Sequence, residues 1–354
     1  MMQKTFLLSL LSLLFLTFGC KDDDLPFNDC FQKPKGNANL NITLLDSVMV
    51  TLPSKVSVFF KLTDENGNPV GFLEPDNFEI YEKGLNDQCP RVISESEAAR
   101  KISGKEQIFN HTTMLVLDLS GSVLQQTLEP LKNAATDFID AIMPDTTDNS
   151  TQMGIWWFDG EDLLHTLVPV TSSKSTLKLG ILAIDPNISS DASTDLYGAV
   201  IKSAAKATDI LDVNQAGDMI AAASVVIFTD GRDRANRYTR NEAVTAVANT
   251  SQDISFFTIG VGSETEAADL VAFGRNGYVP AANAGQLASV FENVASLVSN
   301  EANSYYLFEY CSPIRSGTSN GLIIEASFRK SNETLFGYFE TTFDATGFGG
   351  GCQL

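Results

Sequence analysis

From Thr112 to about Asn300 the chain alternates apolar strands with amphipathic helices, and such a chain can close its core in few ways. Met114–Leu117 is a continuous apolar run, as expected of a strand buried on both faces. A helix is predicted after it, with Leu124, Leu128, Leu131, Ala135, Phe138 and Ile142 spaced 4-3-4-3-4, so that one stripe packs on a sheet. Met153–Phe158 reads as the second strand and holds both tryptophans. Trp156 and Trp157 are neighbours there, so they point to opposite faces and belong to the core. Leu163–Val170 is expected to return as an antiparallel edge. Leu196–Leu211 and Arg240–Asn249 read as helices, Ala223–Phe228 and Ile254–Val261 as strands, and Glu264–Phe273 and Gly285–Val298 as closing helices. The alternation predicts an α/β fold, a doubly wound and mostly parallel sheet with helices on both faces.

Both flanks carry a β pattern instead. Val56, Val58, Phe60 and Leu62 alternate with Ser57, Phe59 and Lys61, the period of a half-buried strand, and Phe78–Glu82 is a second short strand. Asp64–Pro69 between them reads as a hairpin turn, because the downstream acidic ligand of a calcium loop is missing. After Asn300 come Tyr305–Cys311, Gly321–Phe328 and Leu335–Phe343. Either flank alone is too short for a good sandwich core. One small β-sandwich built from residues 38–107 and 301–354, with residues 108–300 inserted, solves the problem.

The 354-residue chain has a formal net charge of -20, which disfavours nucleic-acid backbones and anionic lipid surfaces and favours divalent cations. Its start is different in character. Lys4 precedes an apolar run from Phe6 to Phe18, too short to span a bilayer comfortably, so residues 1–19 read as a signal peptide. Leu16-Thr17-Phe18-Gly19-Cys20 resembles a bacterial lipoprotein cleavage box. That resemblance implies lipidation at Cys20 and anchoring in the outer membrane, with residues 20–37 as a polar tether. Lys21-Asp22-Asp23-Asp24 is similar to the tag of surface-exported lipoproteins in the Bacteroidetes; as physical chemistry it is a solvated acidic run. Four further cysteines, Cys30, Cys89, Cys311 and Cys352, suggest two disulfides with three possible connectivities. If the last three strands form a meander, Cys311 and Cys352 lie on one side and Cys30 is left to pair with Cys89.

Three separated places then supply oxygen donors where strands run out or a helix begins. These are Asp118-Leu119-Ser120-Gly121-Ser122, Thr194, and Asp230 within Phe228-Thr229-Asp230-Gly231. In open parallel sheets, ligands bind beyond the carboxyl ends of the strands, so the three should converge. Hard oxygen donors suit Mg²⁺ or Mn²⁺ rather than a metal that seeks thiolate or imidazole. The pattern resembles the metal-ion-dependent adhesion site of von Willebrand factor A domains. By that resemblance the Ser120 and Ser122 hydroxyls coordinate the ion directly and Thr194 does so directly or through water. Asp118 and Asp230 act largely through water and hydrogen bonds, and an open position on the ion takes an acidic residue of a protein partner. The segment with Phe78-Glu79-Ile80-Tyr81-Glu82 likewise resembles the sandwich strand that often precedes A domains in bacterial proteins.

Arg232, Arg234, Arg237 and Arg240 crowd the loop after Asp230. Either they clamp an acidic ligand beside the metal, or they balance the acidic rim of Asp159, Glu161 and Asp162. Catalysis finds little support: no Gly-x-Ser-x-Gly elbow, no His-Glu-x-x-His and no Gly-x-x-x-x-Gly-Lys loop is expected, and His111 and His165 stand in no catalytic pattern. The expectation is a binding protein of the cell envelope rather than an enzyme. A metal-independent scaffold and a hydrolase are the alternatives.

Overall fold

A computed structural model describes residues 39–354 apart from 95, 98–99, 104–108, 146–149, 216–219, 264 and 331–332. The expected signal peptide, Cys20, the tether and Cys30 lie outside the described residues, and with Cys30 the expected Cys30–Cys89 pair. The N-terminal strands are β1 (Leu40–Leu44), β2 (Met49–Thr51), β3 (Lys55–Asp64), β4 (Phe78–Lys83), β5 (Arg91–Val92) and β6 (Arg100–Ser103). The turn after β3 is built by Asp64, whose Oδ1 accepts from the Asn66 and Asn68 amides, with Gly67 at φ 81°. That left-handed backbone is why a glycine stands there.

The central part runs β7 (Phe109–Asp118), α1 (Gly121–Gln126), α2 (Leu128–Ile142), β8 (Thr151–Phe158), β9 (His165–Thr171), α3 (Lys174–Leu182) and α4 (Leu196–Gln215). It continues with β10 (Ile220–Thr229), α5 (Arg240–Ala248), β11 (Ile254–Val261), α6 (Ala267–Phe273), β12 (Gly277–Ala281) and α7 (Leu287–Asn303). Its sheet has the order β12-β11-β10-β7-β8-β9, parallel except for β9. Residues 114–117 of β7 alternate between two cores, as a doubly covered strand must. Leu115 and Leu117 pack with α2, α3 and α7 on one face; Met114 and Val116 pack with α4, α5 and α6 on the other. Trp157 and Trp156 divide in the same way. Phe138 of α2 meets Phe291 of α7 edge to face, with centroids 5.8 Å apart, a pairing that adds about 0.5–1.5 kcal/mol beyond area burial.

Three elements of this central part differ from the sequence expectation. The single helix expected after Ser122 is two helices, broken at Thr127, where φ is -124° and ψ is -2°. Pro130 explains the break: it lacks an N–H for the carbonyl four residues earlier, and its ring clashes with that carbonyl. Helix α3 and strand β12 were not expected. The first is short and rich in Ser, Thr and Lys, and its start is marked only by Ser173, which accepts from the Thr176 amide.

Strands β13 (Tyr305–Cys311), β14 (Asn320–Lys330) and β15 (Glu333–Phe343) complete the sandwich. One sheet has the order β1-β3-β13-β6 with β2 on β3, the other β15-β14-β4-β5, so both mix strands from the two flanks. The expected meander is therefore wrong, since β13 leaves β14 and β15 for the opposite sheet. Its side chains give the reason. Tyr306, Phe308 and Tyr310 face the sandwich core, while Tyr305 and Leu307 pack with Phe59 and with Ala222 of β10. A strand apolar on both faces needs cover on both, and only the place between sandwich and α/β domain offers it. The junction is also ion-paired, Lys61 Nζ lying 2.5 Å from Glu301 Oε1 of α7.

Cys311 and Cys352 are joined by a disulfide, Cα atoms 5.8 Å apart, which ties the tail after β15 to the end of β13 in the other sheet. It closes a loop spanning 41 residues in sequence. Replacing both cysteines by serine is expected to cost the sandwich about 3–4 kcal/mol, checked by denaturant unfolding of the oxidised and doubly substituted proteins.

Candidate metal centre

The chain order makes β7 and β10 the place where the winding of the sheet reverses. From β7 the chain moves through α1 and α2 to β8; it returns through α4 to β10 on the other side of β7. The crevice beyond the ends of these two strands is the place where open α/β sheets bind ligands. Leu117 pairs with Phe228 in register, so Asp118 and Thr229 end side by side.

Asp118 is fully buried. Its Oδ1 accepts from the Ser120 amide at 2.9 Å, and its Oδ2 from the Thr229 hydroxyl at 2.6 Å. Ser122 Oγ donates to Asp230 Oδ1 at 2.8 Å, and the Ser120 and Ser122 hydroxyl oxygens stand 3.4 Å apart. Thr194 is buried just before α4, and its Oγ1 is 3.7 Å from where a Cβ on Gly231 would sit. The Thr194 carbonyl accepts from the amides of Arg234 and Ala235, which fixes the Asp230 loop to the Thr194 loop. Ser122, Thr194 and Asp230 line one cavity of about 520 Å³, together with Gln126, Gly231, Arg234 and Asn283. The five oxygen-bearing residues named from the sequence thus meet at one place.

The electrostatics suit a cation. Burial pushes the Asp118 carboxyl up to about 7; the Asp230 charge adds to the rise, while the Thr229 and Ser120 hydrogen bonds oppose it. Burial also raises Asp230, against hydrogen bonds and the Arg234 charge that lower it. Ser122, Thr194 and Asp230 on the cavity wall, with Asp118 and Ser120 buried directly behind them, fit a hard divalent ion with open positions, which would relieve the buried negative charge.

A family model matches the middle of the chain. Residues 113–232 match the family model described as von Willebrand factor type A domain, a stretch that contains all five oxygens. Over that stretch the α/β domain is recognised as a von Willebrand factor type A domain. No curated protein matches the chain. Among solved structures, the chain is similar to the conserved hypothetical protein BatB from Bacteroides thetaiotaomicron, at 19% identity and TM-score 0.42 over 55% of this chain and 99% of that one. Proximal thread matrix protein 1 of the mussel byssus, solved with zinc in its adhesion motif, gives 17% identity and TM-score 0.45 over 54% of this chain and 48% of its own. A von Willebrand factor type A protein from Catenulispora acidiphila gives 11% and 0.43 over 88% and 76%. Likenesses of this size say nothing about what this chain binds.

The arginine loop of the A domain is more dispersed than its sequence suggests. Arg234 lines the cavity. Arg232 reaches toward Glu266 at 3.9 Å, Arg237 bonds the Gly160 carbonyl and lies 3.8 Å from Asp195, and Arg240 pairs with Asp269 at 2.5 Å. Thr229 is the site residue that sequence reasoning missed; it stood inside the quoted motif, but nothing in one strand says which carboxylate lies across from it. Asp233 was also missed: its Oδ1 caps the Tyr197 amide at the start of α4. His111 bonds Ser224 Oγ at 3.0 Å, but both are sealed within the sheet, where no substrate reaches. Gly317-Thr318-Ser319-Asn320-Gly321 spells a Gly-x-Ser-x-Gly sequence, yet it leads into antiparallel β14 rather than forming the strand-to-helix turn of a nucleophile elbow.

Two outcomes follow for the A domain. Asp118 is neutral to higher pH when folded than when unfolded, so it opposes folding once the unfolded carboxyl ionises near 3.8, and increasingly until about pH 7. The gain in Tm on replacing EDTA by Mg²⁺ is therefore expected to widen from pH 4.5 to 7 and level above it; a gap independent of pH contradicts this. Thr229→Val removes a hydrogen bond to the ionised carboxyl. It is expected to cost about 1.5–3 kcal/mol in metal-free denaturant unfolding at pH 8, and less at pH 5.

Proposed function

We propose that this chain is a lipid-anchored protein of the outer membrane that captures a protein partner through Mg²⁺ or Mn²⁺ bound at Asp118, Ser120, Ser122, Thr194 and Asp230. The observation that carries the reading is the convergence of these five residues at the switch point of the sheet, three of them lining one cavity and Asp118 and Ser120 bonded behind them. When bound, the ion supplies an electrophilic open position for a carboxylate. The protein does the rest. The Ser120 and Ser122 hydroxyls give neutral donors, which leave the ion electron-poor; Asp118 and Asp230 balance its charge from behind. Thr229 holds Asp118, and the Ser122–Asp230 hydrogen bond holds the two loops at one spacing. Arg234, on the cavity wall, adds a positive charge for an acidic partner surface.

The envelope part of the reading rests on the leader-like residues 1–19, Cys20 and the acidic stretch after it. Among the described residues no helix is long and apolar enough to cross a membrane, and lipid at Cys20 would supply the anchor.

Affinity capture from envelope extract tests the whole. Partner recovered in Mg²⁺ is expected to be lost in EDTA and with Asp118→Ala. Capture that survives both would make the chain a metal-independent scaffold, and turnover of a substrate by the purified protein would make it an enzyme.

A further inference from the structure

A second constellation lies on the same edge of the sheet, one loop away from the metal centre, and the function above does not use it. Asp159 follows β8 directly, Glu161 stands two residues on, and His165 opens β9. Each offers one ligand atom, and these atoms all lie within 4.8 Å of one another. None of the three lines the cavity of the first site.

Three features distinguish this group from an ordinary solvated acidic rim. First, Asp159 is fully buried, and among the described residues no lysine or arginine pairs with it or with Glu161. A buried carboxylate without countercharge is costly. Second, His165 Nε2 is shielded from solvent and makes no hydrogen bond, though Glu161 Oε2 is only 3.4 Å away. That distance is close to the edge of a tetrahedron with bonds of about 2.1 Å to the metal, roughly 3.4 Å. Third, the donors are braced. The His165 ring stacks on Trp157 with centroids 4.0 Å apart and planes 11° from parallel. Asp159 Oδ2 accepts from Ser189 Oγ and the Asp191 amide, while its Oδ1 accepts only the Glu161 amide and keeps a lone pair. Ser190 Oγ donates to Glu161 Oε1. Ligands held by such outer hydrogen bonds and stacking are the mark of a built site.

We infer that Asp159, Glu161 and His165 form a second divalent-cation site, of the zinc type, with one open position. One imidazole nitrogen and two carboxylate oxygens suit Zn²⁺ better than Mg²⁺, so the two centres differ in preference. The site also braces its neighbour. The Asp159 carbonyl accepts from the Asp195 amide, and Gly160 donates to the Asp191 carbonyl. A Cβ on Gly160 would fall 2.1 Å from Ser193 Oγ, so the two loops touch there. Zinc at Asp159 thereby stiffens the segment that carries Thr194.

Equilibrium dialysis of the full chain carrying Asp118→Ala against Zn²⁺ tests this with the first centre disabled. One equivalent of bound Zn²⁺ is expected, together with quenching or a shift of Trp157 fluorescence. Co²⁺ in its place should show the intense visible absorption of a four-coordinate ion. Adding His165→Ala or Glu161→Gln is expected to weaken Zn²⁺ binding at least tenfold with the circular dichroism unchanged. Absence of bound Zn²⁺ in Asp118→Ala, or unchanged binding after either addition, overturns the inference. His165→Ala alone should still capture partner in Mg²⁺, so failure here is distinct from failure of the adhesion reading.

Discussion

The parallel pairing of β7 with β10 is the contact on which the site depends. It sets Asp118 against Thr229 and brings Asp230 over Ser122, although the two strands are more than a hundred residues apart in sequence. That pairing is secured by burial on both faces, where residues 114–117 and 225–228 are almost wholly shielded from water. A dry sheet beneath the site has an electrostatic consequence. It deprives Asp118 of solvent and raises its pKa, so the same packing that stabilises the sheet creates a demand for a cation at its end.

The sandwich solves a different problem. Each flank alone buries too little, and the strands of both flanks share two sheets to form one core with Phe60, Phe78, Tyr306 and Phe308 at its centre. Inside it Tyr310 donates to the buried Glu82 at 2.8 Å, and burial lifts that carboxyl above its ordinary range. Since α7 runs directly into β13 and Glu301 meets Lys61, the A domain joins the sandwich through packed structure as well as through its two chain crossings.

Much of this was legible from local pattern. The 4-3-4 spacing marked the face of α2, the apolar runs marked β7, β10 and β11, and the oxygen-bearing residues stood at element ends where open sheets place ligands. What stayed hidden depended on elements distant in sequence. The arginines after Asp230 looked like one basic cluster, yet three of the four turn to Glu266, Asp195 and Asp269. The last three strands looked like a meander, yet β13 crosses to the other sheet because both of its faces are apolar.

By itself, then, the sequence determined the alternation of strand and helix, the donor types at Asp118, Ser120, Ser122, Thr194 and Asp230, and the even set of four cysteines after Cys20. These follow from periodicity and residue chemistry, which depend on near neighbours. Only the tertiary structure decided that Thr229 supports Asp118, that Arg234 alone of its cluster lines the cavity, and that Asp159, Glu161 and His165 converge. The physical reason is the same in each case. Burial, countercharge and hydrogen-bond partners are properties of what lies across a loop or a strand pair, and the folded chain alone brings those groups together.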